Sequence, residues 1–357
     1  MLKGEVTLSH PQQTGVDGAE GTAMTADDHS GIRQRLALDA LDYPIPPVAN
    51  RIAYMLGGLT FAGIAILIVT GILLDQFYNP TPTGAHDSLL YIMTRVRFGM
   101  WMRGIHYWTA TFVLISVFVH MAFVFWRRSY VKPREVTWFA GVGLFLLLFG
   151  LAFTGTVLRA DQEGGEALEH AVAGAEMTGP LGAPMSPDFT PSTSLLSRLH
   201  SMHVSLLPII LLLLVGLHFW LIRAHGINST QPKTSRFSRH LPKLVGNSLL
   251  LFGIVGTLAA LFPPGIHHRA VEGVEMTKPF WPFLWIYVVE NQFGMWGMVI
   301  APVIIFGFLF IIPLIDRPRD GVGRHRIVTA TALVMLVLYV GGIIYGVFAP
   351  QQQHMGM

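Results

Sequence analysis

Ser201–Arg223, SMHVSLLPIILLLLVGLHFWLIR, is a nearly unbroken apolar run long enough to cross a bilayer, with a histidine near each end. His203 and His218 are 15 residues apart, about 22 Å along a helix, so they stand at two depths in the membrane. Fifteen steps of about 100° leave them about 60° apart in azimuth, on roughly one face. A second apolar stretch, His106–Phe125, repeats the pattern: His106 and His120 are 14 residues apart, about 40° in azimuth. Two such helices side by side form two His/His pairs stacked along the membrane normal. Paired imidazoles across a ring-sized gap are the axial ligands that a low-spin haem iron takes. A lone intramembrane histidine is as often a packing residue. Four at matched spacing on two spans point to two b-type haems, ligated by His106, His203, His120 and His218.

Composition agrees with a membrane protein. The 357 residues are 52% hydrophobic and 13% charged, with a mean hydropathy of +0.51. There is no cysteine, which excludes disulfides, thiolate metal sites, iron–sulfur clusters and thioether-attached haem, and leaves histidine as the natural ligand for a metal. A net charge of +3, with basic residues spread between apolar segments, gives no nucleic-acid surface. The first 30 or so residues lack the apolar core of a signal peptide and read as an uncleaved, partly disordered tail.

The predicted fold class is all-α: a polytopic helix bundle of about seven spans, near 52–75, 104–126, 136–157, 203–223, 246–262, 295–315 and 327–348. Residues 31–42, with Ile32, Leu36, Leu38 and Leu41 among charges, fit a short amphipathic helix on the membrane surface. Of the 24 Lys and Arg residues, 17 fall on the N-terminal side of the membrane and 7 on the other. The positive-inside rule then puts the N-terminus on the cytoplasmic or stromal side (the n-side) and the C-terminus on the p-side. Two p-side connections, 158–202 and 263–294, are long enough to carry function or to dock other subunits. No inverted repeat of the transporter kind is visible.

The first and third spans carry glycines with the histidine period. Gly57 and Gly71 are 14 apart, as are Gly141 and Gly155. A haem edge wedged in a bundle needs places without a side chain, and glycine supplies them. Glycine pairs in membrane helices more often mark helix–helix contact, but the shared period supports the haem reading.

Beyond spacing, the motifs YMLGG (54–58), Thr70-Gly71, YIMTRVRFGMWMRGIHYW (91–108), KPREVTW (132–138), Thr154-Gly155, RLHSMH (198–203) and HFWLIRAHGI (218–227) resemble cytochrome b of the quinol:cytochrome c oxidoreductases. The closest likeness is to the short form of the cytochrome bf complexes. Residues 240–348 resemble, more weakly, the three-helix subunit that accompanies that short form, so the chain reads as a natural fusion of the two. The implied domains are 1–50 (tail and surface helix), 51–228 (four-helix dihaem bundle) and 229–357 (three C-terminal helices). The resemblance implies an electron-transfer subunit of a membrane oxidoreductase complex, in a bacterial energy-transducing membrane. Non-covalent bis-His haems would pair His106 with His203 on the p-side and His120 with His218 on the n-side. Arg103 would meet a p-side propionate, Lys132 and Arg134 would serve anionic groups on the n-side, and Arg198 joins the cofactor-binding set. Implied partners are quinone and quinol, a Rieske iron–sulfur protein, a cytochrome c-type subunit or other p-side redox protein, membrane lipid and a second copy of the chain. His225, at the n-side end of the fourth span, is a candidate proton donor to reduced quinone.

The match departs from the family at the p-side. The cysteine that attaches an extra haem in the short form aligns with Met55, so a covalent haem c is not expected. The family's Pro-Glu-Trp-Tyr motif is Pro279-Phe280-Trp281-Pro282, and phenylalanine cannot take a proton. The Pro-Trp element after the third span is Arg159-Ala160, although Asp161-Gln162 follow as in the family. Two readings result. Quinol oxidation persists with Glu275 or Glu290 as base, or the haems link another p-side redox partner to the quinone pool without bifurcation.

Overall fold

The computed structural model describes residues 42–317, 321–352 and 354, with Gly31 and Arg35, and only the backbone of 321–324. The tail before residue 31 and the body of the surface helix expected over 31–42 lie outside the described residues. The membrane-spanning part belongs to the unit that begins at Pro44.

That unit is helical almost throughout. Its chain order is α1 (Ile52–Asp75), the short α2 (Ala85–Thr94), α3 (Gly99–Trp126), α4 (Glu135–Val157), the surface helix α5 (Gln162–Glu176), α6 (Leu195–Ser201), a π-helical turn (Met202–Leu206), α7 (Leu207–His225), α8 (Phe237–Leu261), α9 (Leu284–Ile315) and α10 (Gly321–Phe348). Seven spans among the described residues are long and apolar enough to cross a membrane, and helices suit hydrocarbon because they pair most of their backbone internally. Among the described residues, strand structure consists of one two-residue pairing, β1 (Pro44–Ile45) antiparallel to β2 (Ser235–Arg236), and an isolated bridge between Asp161 and Arg269.

All seven expected spans are present, several with longer ends. The fourth starts at Leu195, where the Ser194 hydroxyl accepts from the Ser197 N–H at 3.2 Å and caps the first turn. The sixth is bent at Gly294, whose φ of +65° only glycine adopts freely. This bend divides Leu284–Phe293 from the spanning stretch that the hydropathy places at 295–315.

The π-helical turn resolves the unequal histidine spacings. Pro208 has no N–H, and its ring would collide with the carbonyl four residues back, at Val204. The chain widens there, and the Leu207 N–H bonds the Met202 carbonyl, five residues back. One extra residue is absorbed in this turn, so the 15-residue step from His203 to His218 travels about as far and as round as the 14-residue step from His106 to His120. The azimuthal mismatch inferred for an unbroken α-helix largely disappears.

Helix α1 packs along α3, α4 along α7, α8 across α1 and α3, and α9 against α4 and α10. The central core layer is built from Ile64, Val113, Leu114, Val117, Phe145, Leu148, Leu211 and Val215. Those residues come from α1, α3, α4 and α7, each near the midpoint between the two histidine or glycine positions of its helix. An apolar layer therefore separates the two histidine levels. Fully burying side chains of this kind stabilises by about 1.5–3 kcal/mol each in water; in lipid the gain comes from close packing.

Candidate cofactor site

At one level of the bundle, α3 supplies His106 and the π-helical turn supplies His203. Their ring centres are 6.4 Å apart. Two imidazoles bound to one first-row metal at about 2.0–2.1 Å per bond, with each ring centre about 1.1 Å behind its nitrogen, have centres about 6.3 Å apart. The observed gap fits.

The tautomers fit as well. Thr70 Oγ1 donates to the Ile66 carbonyl at 2.7 Å and lies 2.9 Å from His106 Nδ1. Thr154 Oγ1 donates to the Gly150 carbonyl at 2.8 Å and lies 2.9 Å from His203 Nδ1. Each hydroxyl has spent its one hydrogen, so its oxygen must accept from the imidazole. Both Nδ1 atoms therefore carry the proton, and both Nε2 atoms keep the lone pair that binds a metal. The threonines sit one residue before Gly71 and Gly155, so each helix turn brings a hydroxyl and a bare backbone to the same ring.

All four glycines face the histidines. A Cβ at Gly155 would come within 3.1 Å of His203 Cε1, and one at Gly71 within 3.5 Å of His106 Cε1. At the other level, a Cβ at Gly57 would meet His120 Cε1 at 3.1 Å, and one at Gly141 would meet His218 Cε1 at 3.5 Å. His120 and His218 lie within electrostatic reach of each other, and the Nδ1 of each is buried without a hydrogen-bond partner. A planar group held between paired histidines and flanked by glycine gaps matches this donor set at both levels.

Other sequence-derived site residues take mixed places. Arg103 Nη1 and Nη2 donate to the carbonyls of Pro264 and Gly265, at 2.5 and 3.0 Å. Arg198 donates to the carbonyls of Pro184 and Ser186, at 2.7 and 2.5 Å, with its guanidinium over the Phe189 ring. Both arginines thus tie down the long loops at the His106/His203 end. At the opposite end Lys132 is exposed. Arg134 reaches the C-terminus of α7, donating to the Gly226 and His225 carbonyls at 3.3 and 3.4 Å, where a cation complements the helix dipole. The Nδ1 of His225 is buried with no hydrogen-bond partner.

The loop over 262–280 is held by residues that pattern reading did not single out as anchors. Asp161 caps α5 through Gly164 at 3.1 Å, accepts from Arg159 at 2.5 Å and from the His267 N–H at 3.0 Å. Gln162 accepts from the Val271 N–H at 2.8 Å and donates to the Val274 carbonyl at 2.6 Å. Glu166 accepts from the Met276 N–H at 2.8 Å and from Thr277 Oγ1 at 2.6 Å. The retained Asp161-Gln162 pair is thus a loop anchor. Arg159, in place of the family's proline, bonds Asp161 and Glu163. Burial works against its charge, yet Glu163 and Asp161 outweigh it and hold Arg159 above the ordinary arginine value. Burial likewise pushes the Glu163 carboxyl up, against the pull of Arg159.

Phe280 packs its ring 5.6 Å from that of Tyr107. Glu275 and Glu290, 15 residues apart in sequence, meet beside His170 and His354. His170 Nε2 is 3.5 Å from Glu290 Oε1 and 4.0 Å from Glu275 Oε1.

A family model described as Cytochrome b/b6/petB matches residues 40–226, just over half of the chain. The chain belongs to the cytochrome b family. Among cytochrome b relatives, the cytochrome b6 of Heliobacterium mobile is 38% identical over 201 residues, 54% of this chain and 93% of the relative. The cytochrome bc complex cytochrome b subunit of Chlorobaculum thiosulfatiphilum is 30% identical over 315 residues, 82% of this chain and 73% of the relative, so that likeness continues well past residue 226. The menaquinol:cytochrome c reductase cytochrome b subunit of Bacillus subtilis (strain 168) is 34% identical over 202 residues, 53% of this chain and 90% of the relative. A solved structure titled "Hyperthermophilic respiratory Complex III" shares the fold, with a TM-score of 0.73 and 23% identity over 92% of both chains.

Proposed function

We propose that this cytochrome b is the dihaem subunit of a quinol oxidoreductase complex, passing electrons between quinone sites at the two faces of the membrane. The observation that carries the proposal is the doubled pairing: His106 with His203 and His120 with His218, each opposite a glycine, with an apolar layer between. Haem iron bound there would supply one-electron transfer between its ferric and ferrous states. The chain's own part is to fix the imidazoles. Thr70 and Thr154 set the tautomer at one level, and the π-helical turn brings His203 into register. Residues 51–228 form the haem-binding domain and 229–357 the accessory helices in this reading, with the N-terminus on the n-side. The partners are a Rieske-type iron–sulfur protein, a cytochrome c-type acceptor, quinone and a second copy of the chain.

Glu275 and Glu290 serve as proton acceptors for quinol in place of the carboxylate lost at Phe280. Their meeting at one spot supports this; His225 is the n-side donor. A second reading is favoured by Phe280 itself, which leaves an aromatic contact where a base would be needed. In it the haems link a different p-side redox protein to the quinone pool. The deciding experiment adds quinol to the purified complex and follows haem b reduction with and without a p-side quinol-site inhibitor. Inhibitor-sensitive reduction, coupled to reduction of a high-potential partner and lost in Glu290→Gln, establishes the first reading. Reduction only through the n-side site, or only from a p-side protein donor, establishes the second.

A further inference from the structure

Four largely buried ionisable side chains from separate parts of the chain converge at the loop end: His170 from α5, Glu275 from the long loop, Glu290 from α9 and His354 from the C-terminal segment. One ligand atom from each of His170, Glu275 and His354 lies within 4.8 Å of the others. His354 Nδ1 is 3.2 Å from Glu275 Oε2, His170 Nε2 is 3.5 Å from Glu290 Oε1, and His170 Nε2 is 4.0 Å from Glu275 Oε1. Two N or O donors on one tetrahedral zinc-class ion are about 3.4 Å apart, given bonds of about 2.0–2.2 Å. The spacings bracket that edge, and two of them are too long for a good hydrogen bond.

Two further features point inward to a ligand. Glu290 is 3% exposed, and its Oε1 faces His170 but accepts no hydrogen bond. A buried carboxylate oxygen without a donor is costly unless something charged meets it. His170 Nδ1 lies 2.8 Å from the Glu166 carbonyl. A carbonyl only accepts, so Nδ1 holds the proton and the Nε2 lone pair points into the cluster, the arrangement common to metal-binding histidines.

We infer that His170, Glu275, Glu290 and His354 form a binding site for a divalent cation of the zinc class, which clamps the C-terminal segment onto α5 and the long loop. Two imidazoles and two carboxylates favour zinc over calcium or magnesium, whose ligands are oxygens. The clamp would add to contacts already present: Lys278 Nζ donates to the Val347 carbonyl at 2.7 Å, Tyr287 Oη to the Pro350 carbonyl at 3.0 Å, and the His354 N–H to Glu275 at 2.9 Å. The site uses none of the haem-pair residues, so it stands or falls apart from the haem reading. A cation and a proton compete for the same carboxylate oxygens, so zinc occupancy and proton acceptance at Glu275 and Glu290 are alternative states.

The test is equilibrium dialysis of the solubilised complex against micromolar zinc, with bound metal counted by mass spectrometry. Wild type is compared with His170→Ala, with a chain truncated after Gln352, and with His268→Ala, which alters an exposed histidine as a control. The expected result is one tightly bound zinc per chain in wild type and in the control, with affinity about tenfold or more weaker in the other two. Zinc should also slow carboxypeptidase removal of the last residues in wild type and in the His268→Ala control, but not in His170→Ala. The truncation removes only terminal residues, so it reports even if His170→Ala destabilises α5. Wild-type zinc content no higher than that of both site variants, or equal carboxypeptidase rates with and without zinc, overturns the inference.

Discussion

Adding one methyl group at each of the four histidine-facing glycines should separate them into two pairs. A Cβ at Gly155 or Gly57 would sit 3.1 Å from the Cε1 of His203 or His120, about 0.3 Å inside ordinary contact. At Gly71 or Gly141 it would sit 3.5 Å from the facing ring, within ordinary contact. Overpacking a close site costs about 1–3 kcal/mol, and 1.4 kcal/mol is tenfold in binding. Gly155→Ala and Gly57→Ala are therefore expected to weaken haem retention about five- to hundredfold, while Gly71→Ala and Gly141→Ala stay near wild type. The assay is the haem-to-protein ratio of purified complex, joined to a redox titration that resolves two haem components. Gly155→Ala should deplete one component and Gly57→Ala the other, because their target histidines lie at different levels. Equal losses across all four variants, or loss of the same component in both close-contact variants, would refute the reasoning.

Removing the hydroxyl in Thr154→Val leaves His203 Nδ1 without its acceptor at 2.9 Å, so haem affinity at that level should fall about 10–100-fold, read as the haem-to-protein ratio; Thr154→Ser should restore it. Asp316 is 1% exposed and accepts from Arg128 at 2.9 Å, from the Tyr130 hydroxyl, and pairs with His325 at 2.9 Å. Asp316→Ala should destabilise by about 3 kcal/mol, the low end for a broken buried pair because Arg128 keeps partial access to water, measured by thermal unfolding in detergent. The raised Glu163 pKa means that the folded chain holds that proton more tightly than the unfolded one. Its contribution is therefore full below the ordinary glutamate value and is lost as pH rises through the folded pKa. The stability of wild type relative to Glu163→Gln should decline across that window and level off above it; a rise would contradict the assignment.

The spans and histidine pairs were legible because hydrocarbon imposes a simple code: long apolar runs, and polar side chains only where something meets them. The register of His203 was not, since helical counting assumes 3.6 residues per turn. The clue was Pro208, whose clash with the preceding turn forces the wider winding. The anchoring of the long loop escaped as well: Gln162 and Glu166 bond backbone atoms more than 100 residues away, and no periodicity marks such contacts. The Glu275–Glu290 meeting was half visible. Both carboxylates could be named, but His170 and His354, 184 residues apart, come together only in the folded chain.

The apolar layer of Ile64, Val113, Leu114, Val117, Phe145, Leu148, Leu211 and Val215 has an electrical consequence. None of these eight side chains can carry a proton, so the layer offers ions no path between the two histidine levels. The histidine levels are about 21 Å apart, in a hydrocarbon slab about 30 Å thick. A charge moved between them crosses roughly two-thirds of the membrane voltage, about 1.5 kcal/mol per 100 mV. The layer therefore works as the dielectric of a capacitor. In the proposed dihaem reading, an electron driven across this layer leaves charge separated between the two faces, held as membrane potential.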